Sequence, residues 1–272
     1  MSNLPVRRAR IVGLAAAVLG IGAGALVTAA VLRRQAAIAR RRIGKPHGEL
    51  APDSDRVWRS KLEGKPLDLV VLGDSIAAGL GAARRKDTLG ARLAKGLARV
   101  LRRPVRLHTI AIVGAETSLL ARQLDALPPG LRPELAVVIV GGNDVTHRIP
   151  VSESTTQLRS AVERLRDLGA EVVVGTCPDL GALRPVPQPL RSIVSRWSRQ
   201  LGEAQESVAR AAGAHPVSLR RTVGPFFVAD PDEMFSLDRF HPSALGYRRT
   251  ADAMLPVALA ALRDRETLQR LP

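Results

Sequence analysis

Leu67-Asp68-Leu69-Val70-Val71-Leu72-Gly73-Asp74-Ser75 is an apolar run that ends in a glycine and then in two small polar residues. Such a run, rich in Val and Leu and bounded by turn formers, fits a strand buried on both faces. Val105 to Ile112, Leu135 to Val140 and Glu171 to Gly175 repeat the form, and Ala214-His215-Pro216-Val217 reads as a shorter strand. Helical spacing runs between them, over Leu89 to Leu101, Thr117 to Leu124, Gln157 to Leu168, Ile193 to Ala212 and Ala244 to Leu262. Alternation of this kind predicts right-handed crossovers and an α/β fold, a parallel sheet with helices on both faces. Ligands of such sheets bind at the carboxyl ends of the strands. Gly73-Asp74-Ser75 and Gly141-Gly142-Asn143-Asp144 each follow a strand directly, so both belong to that edge.

A third motif, Asp238-Arg239-Phe240-His241, supplies an acid and a base three residues apart. A carboxylate there can hold the imidazole Nδ1–H and leave Nε2 to face a serine. Ser75 lies at a strand-to-helix turn, where its hydroxyl is expected to be exposed and its N–H sits near a helix amino terminus that favours negative charge. Each motif has a plainer alternative. Ser75 would serve as a helix cap, Asn143 and Asp144 as a turn, and His241 as a cap for the helix that follows. His108, His147 and His215 are competing bases, with His147 placed to line a pocket beside Asn143, and Asp144 and Asp232 are substitute acids. Taken together, a nucleophile, a base with its orienting acid and an amide for an oxyanion predict ester hydrolysis. The chain has one cysteine, no His-x-x-x-His pair and no Gly-x-x-x-x-Gly-Lys loop, so neither a metal nor a cofactor is expected.

The elbow of α/β-hydrolases, Gly-x-Ser-x-Gly, fails here at Ala77. Val71-Leu72-Gly73-Asp74-Ser75-Ile76 instead resembles the first block of the SGNH (GDSL-type) hydrolase superfamily. Ile112-Val113-Gly114-Ala115-Glu116-Thr117 resembles the second, Val140-Gly141-Gly142-Asn143-Asp144 the third and Asp238-Arg239-Phe240-His241-Pro242 the last. The resemblance covers residues 66–262. It implies a flavodoxin-like three-layer α/β/α sandwich with five parallel strands. Ser75 would be the nucleophile, His241 its base and Asp238 the residue that steadies His241. The oxyanion hole would consist of the Ser75 N–H, the Gly114 N–H, with Ala115 as the alternative donor, and the Asn143 amide. The implied substrates range from short-chain acyl esters, the first expectation, to lysophospholipids and acetylated sugars. A binding protein on the same scaffold, without turnover, is the rival class.

Ahead of this domain, Ile11 to Leu32 is a run of 22 residues without charge. As a helix it would span about 33 Å, close to the hydrocarbon thickness of a bilayer. A basic segment, residues 1–10, precedes it, and a basic linker, residues 33–65, is expected to lead to the domain over 66–272. A retained membrane anchor is the first expectation. A cleaved signal, with Arg7, Arg8 and Arg10 ahead of it and Thr28-Ala29-Ala30 as a cleavage site, is the second, and a packed helix the third. Charge counting alone would keep the domain in the cytoplasm, whereas the weakly hydrophobic, signal-like layout favours an anchored or exported domain on the extracytoplasmic side. Residues 1–48 hold nine of the 41 Lys and Arg and none of the Asp and Glu, which accounts for over half of the +16 net charge. Basic residues clustered beside a membrane segment suit anionic lipid head groups, and no interleaving of basic and aromatic residues points to nucleic acid. The prolines of Arg184-Pro185-Val186-Pro187-Gln188-Pro189 predict a stiff loop bordering the site.

Overall fold

The apolar runs pair into one sheet of six strands in a computed structural model that describes residues 27–269, with side chains to residue 265. The strands are β1 (Val57–Trp58), β2 (Leu67–Gly73), β3 (Val105–Thr109), β4 (Leu135–Ile139), β5 (Glu171–Gly175) and β6 (His215–Val217). In space they run β1-β3-β2-β4-β5-β6. The last five are parallel, as expected, while β1 lies antiparallel against β3 at the edge. β1 was not foreseen because two residues carry no alternation to read. The chain passes from β2 outward to β3 and then back across to β4, so the carboxyl ends of β2 and β4 form the topological switch point where ligands of open α/β sheets bind.

The helices are α1 (residues 27–43), α2 (Ser75–Ala78), α3 (Leu89–Leu101), α4 (Leu120–Asp125), α5 (Gly142–His147), α6 (Val151–Asp167), α7 (Leu190–Ala211), α8 (Leu219–Thr222), α9 (Gly224–Ala229), α10 (Pro231–Met234) and α11 (Ala244–Gln269). Alternate residues of the strands feed two cores. Leu69, Val71, Val137 and Ile139 face α3 and α11, which bring Leu93, Leu97, Tyr247 and Met254. Val70, Leu72, Val138 and Val174 face the other way, toward Leu120, Leu158, Val162 and Leu165 of α4 and α6. α3 starts at Thr88, whose hydroxyl accepts the Ala91 N–H at 3.3 Å, and buries Leu89, Leu93 and Leu97, one position per turn.

The amino-terminal segment departs from its expected form. Residues 33–43, read as linker, continue α1. Leu32, Ala36 and Ala39 make a helical stripe that packs on the first core, a pattern hidden among the arginines. Gln35 accepts the Leu190 N–H at 2.9 Å and donates to the Gln188 carbonyl. Arg42 reaches the Pro185 carbonyl at 3.4 Å, so α1 is tied to the proline-rich loop. Apart from residues 27–32, the uncharged run expected as an anchor lies outside the described residues. Among the described residues no helix is long and apolar enough to cross a membrane.

Candidate active site

Gly73 ends β2 with φ of 131°, and a Cβ there would stand 1.8 Å from the Ile139 carbonyl oxygen. Only glycine allows the chain to turn this close to β4. Asp74 then caps α2, its carboxylate accepting the Ile76 N–H at 2.9 Å. The cap is therefore Asp74, which leaves the Ser75 hydroxyl to another partner, and Ser75 Oγ lies 2.9 Å from His241 Nε2. Ser75 is only 7% exposed, contrary to the expected exposure. The turn is overhung by the loop that carries His241, so the hydroxyl sits at the floor of a cleft. Burial raises the Asp74 carboxyl to about 6, against the hydrogen bond from Ile76.

His241 follows α10 in the loop over residues 235–243. Its Nδ1 is 2.6 Å from Asp238 Oδ2. Asp238 Oδ1 accepts the N–H groups of Phe240 and His241, each at 2.9 Å, and the Ser236 hydroxyl at 3.1 Å. Burial alone would push this carboxyl up, but the hydrogen bond from the His241 ring and those from the two backbone N–H groups hold it down at about 2. Gly81 makes the approach of the loop possible, since a Cβ on it would lie 2.7 Å from the Pro242 carbonyl and 2.9 Å from His241 Cβ. Tyr247, fully buried on α11, donates to the Leu80 carbonyl at 2.6 Å and holds the turn after α2 from beneath.

Gly141-Gly142-Asn143-Asp144 forms the start of α5 rather than a free turn. Asn143 Nδ2 donates to the Ala115 carbonyl at 2.9 Å, joining the second and third blocks. The Ala115 N–H is already bonded to the Ile112 carbonyl at 3.1 Å. Gly114, with φ of 83°, borders the cleft instead. Asp144, named as a substitute acid for His241, is bonded elsewhere. It accepts the Thr117 N–H at 3.1 Å and the Ser154 hydroxyl at 2.6 Å, which fastens the second block to α6. Asp232 sits in the first turn of α10. The competing histidines pair elsewhere, His147 with Glu116 at 2.6 Å, His215 with Glu171 at 3.2 Å and His108 with Asp68 at 3.5 Å. His147 is not among the residues that border either cavity at Ser75.

Two cavities meet at Ser75 and Asn143. One, of about 810 Å³, is bordered by Gly114, Asp238, His241 and residues 43–45 and 47–55. The other, of about 480 Å³, is lined by Leu180, Leu183, Leu219, Val223, Phe227 and Phe235. Among the described residues no three His, Cys, Asp or Glu side chains are grouped to hold a metal ion. Two buried glutamines support the site. Gln123 of α4 accepts the Gly73 N–H and donates to the Gly73 carbonyl, both at 2.8 Å. Gln205 of α7 accepts the Cys177 N–H at 2.7 Å and donates to the Val140 carbonyl at 3.0 Å. Each was legible only as a residue inside a helix, since a polar side chain on a buried face is the sole local signal.

The model of the GDSL-like Lipase/Acylhydrolase family matches residues 71–249, a span that contains all four blocks. The chain belongs to this family. Among members with a described role it is similar to the GDSL-like esterase Rv1075c of Mycobacterium tuberculosis, 42% identical over 213 residues. That match covers 76% of this chain and 65% of the relative, so the chain spans about two thirds of the relative's length. Solved structures with the same fold include the lipase Lip_vut3 from a goat rumen metagenome, at a TM-score of 0.58 and 16% identity over 70% of this chain and 97% of the other. TesA matches at a TM-score of 0.57 and 25% identity over 71% and 99%. A catalytic mutant of Axe2, an acetylxylan esterase from Geobacillus stearothermophilus, matches at a TM-score of 0.57 and 19% identity over 72% and 95%. This GDSL-family domain shares with them a central sheet flanked by helices.

Proposed function

We propose that this chain is a serine ester hydrolase with Ser75 as nucleophile, His241 as general base and Asp238 as the residue that orients it. The observation that carries the proposal is the unbroken chain Ser75 Oγ to His241 Nε2 at 2.9 Å and His241 Nδ1 to Asp238 Oδ2 at 2.6 Å. Family membership and a relative named as an esterase support it. Ser75 Oγ attacks the acyl carbonyl while His241 takes its proton. The oxyanion is held by the N–H groups of Ser75 and Gly114 and by the Asn143 amide, donors fixed before charge develops. Collapse breaks the bond to the alcohol oxygen, which receives the proton from His241. Water, deprotonated in turn by His241, then attacks the acyl-enzyme; the bond to Ser75 Oγ breaks, Ser75 takes the proton back from His241, and the acid leaves.

The acyl group enters the cavity of about 480 Å³, whose lining is mostly apolar, and the alcohol occupies the larger cleft. A cavity of that volume and apolar lining favours acyl chains longer than acetyl and weighs against a carbohydrate O-deacetylase. The test is hydrolysis of p-nitrophenyl esters from acetate to decanoate. Turnover is expected to rise beyond acetate, and Ser75→Ala is expected to abolish it with the thermal transition unchanged. A Ser75→Ala protein with normal turnover would sink the assignment.

We infer further that the uncharged run that begins at Ile11 anchors the chain in a membrane, supported by its length and basic flanks, with the domain on the extracytoplasmic side, which the weakly hydrophobic, signal-like layout favours against the charge count. Full-length protein is expected to stay in the membrane pellet through a carbonate wash and to be cleaved by protease added to intact cells. Release of a shortened chain into the medium would mean a cleaved signal.

A further inference from the structure

Ser236 lies between the candidate triad and the amino-terminal segment. Its Oγ is 3.1 Å from Asp238 Oδ1 and 2.8 Å from His47 Nε2. A serine hydroxyl has one hydrogen, and an ionised Asp238 only accepts, so that hydrogen goes to the carboxylate. The Ser236 oxygen is then left to accept, and the donor is His47 Nε2–H. His47 Nε2 also stands 4.0 Å from Asp238 Oδ2, with the His47 side chain 20% exposed and that of Asp238 4%. The segment that delivers His47 is held at both ends. Gln35 and Arg42 tie α1 to the loop before α7, and Asp55 Oδ2 accepts the Thr109 N–H at 2.8 Å. Between these ties, residues 43–45 and 47–55 border the cleft of about 810 Å³ together with Gly114 and His241.

We propose that His47 is a positioning residue for the Ser75, His241 and Asp238 array, acting through Ser236, so that the segment next to the membrane run completes the active site. His47 fixes the Ser236 hydroxyl rotor on Asp238 Oδ1. With Oδ1 held there and by two backbone N–H groups, Oδ2 stays aimed at His241 Nδ1. In this role His47 acts through Ser236 and not on Ser75, and the inference rests on the esterase reading above. It follows that a chain cut at residue 49 would lose part of its active site as well as its anchor.

The experiment measures kcat and KM of the full-length chain on p-nitrophenyl butyrate for wild type, His47→Ala, His47→Gln, Ser236→Ala and the His47→Ala/Ser236→Ala double variant. His47→Ala and Ser236→Ala are each expected to lower kcat by about 10-fold, the size of one hydrogen bond to a charged group, with KM nearly unchanged. The double variant should lose no more than either single one, because both break the same chain of bonds. His47→Gln, whose amide N–H can reach the same hydroxyl, should recover most of the rate. Wild-type kcat in His47→Ala, a loss confined to KM, or losses that multiply in the double variant would overturn the proposal. Should His47→Ala fail to fold, an unaffected Ser236→Ala would overturn it equally. A wild-type protein without turnover would instead overturn the esterase reading itself.

Discussion

Asn143 shows how much one side chain carries. One hydrogen of its amide is bonded to the Ala115 carbonyl at 2.9 Å, which fixes the plane of the amide, and the residue borders both cavities at Ser75. Its second hydrogen then has a defined direction before any substrate arrives, the property that makes an oxyanion donor effective. Asn143→Ala is expected to lower kcat by ~10²–10³ with little change in KM, because the bond strengthens as charge develops on the oxygen. Steady-state kinetics on one chromogenic ester decides it. A change in KM alone would make Asn143 a contact of the ground state. Asp238, by contrast, is legible as a partner of His241 from their spacing, but the three donors on its other oxygen belong to the loop and became visible only once the loop was folded.

At the scale of elements, the site depends on what holds two strand ends open. β2 ends at Gly73 and the chain leaves β4 through Val140, and Gln123 from α4 and Gln205 from α7 bond the backbone at Gly73, Val140 and Cys177 from the helix layer. Gln123→Leu would keep the volume roughly but leave the Gly73 N–H buried without a partner, at a cost of about 1–3 kcal/mol. A urea denaturation midpoint that falls with the slope unchanged is the expected result. Turnover should fall with it, since Gly73 precedes Asp74 and Ser75 directly. A variant as stable as wild type would show that water replaces the glutamine. α1 is the other element-scale lesson. Its apolar stripe, Leu32, Ala36 and Ala39, has the period of a packed helix, yet the arginines around it read more strongly as a solvated flank.

Across the whole molecule, stability and pH are linked through Asp74. Its carboxyl is raised by burial from 3.8 to about 6, so the folded chain holds a proton that the unfolded chain has released. The sign follows from that difference. The contribution is complete below about 3.8 and is lost as pH rises through about 6. Asp74→Asn keeps the cap, as asparagine caps as well as aspartate, and removes the ionisation. The stability of wild type relative to Asp74→Asn is therefore expected to decline between pH 4 and pH 6, read from denaturant curves across that window. A difference that stays level would mean Asp74 is not raised. Asp238 acts in the opposite sense. Held at about 2, it contributes stability above 3.8 that disappears as pH falls toward 2.

The succession of β2 to β6 with α3, α4, α6, α7 and α11, and the two blocks at strand ends, were determined by the sequence itself, because buried strands and amphipathic helices leave periodic marks that need no partner to be read. Ser75, Asn143, Asp238 and His241 were legible as candidates because each lies in a short motif beside a turn and the four motifs come in order. The buried state of the Ser75 hydroxyl was decided by the loop that overhangs it. That Gly114 borders the cleft while the Ile112 carbonyl takes the Ala115 N–H was visible only in the folded loop. His47 and Ser236 stand 189 positions apart, yet a 2.8 Å contact joins them. No local pattern records such a pairing, since it exists only after α1 has docked and the chain has carried residues 43–55 across the carboxyl edge of the sheet.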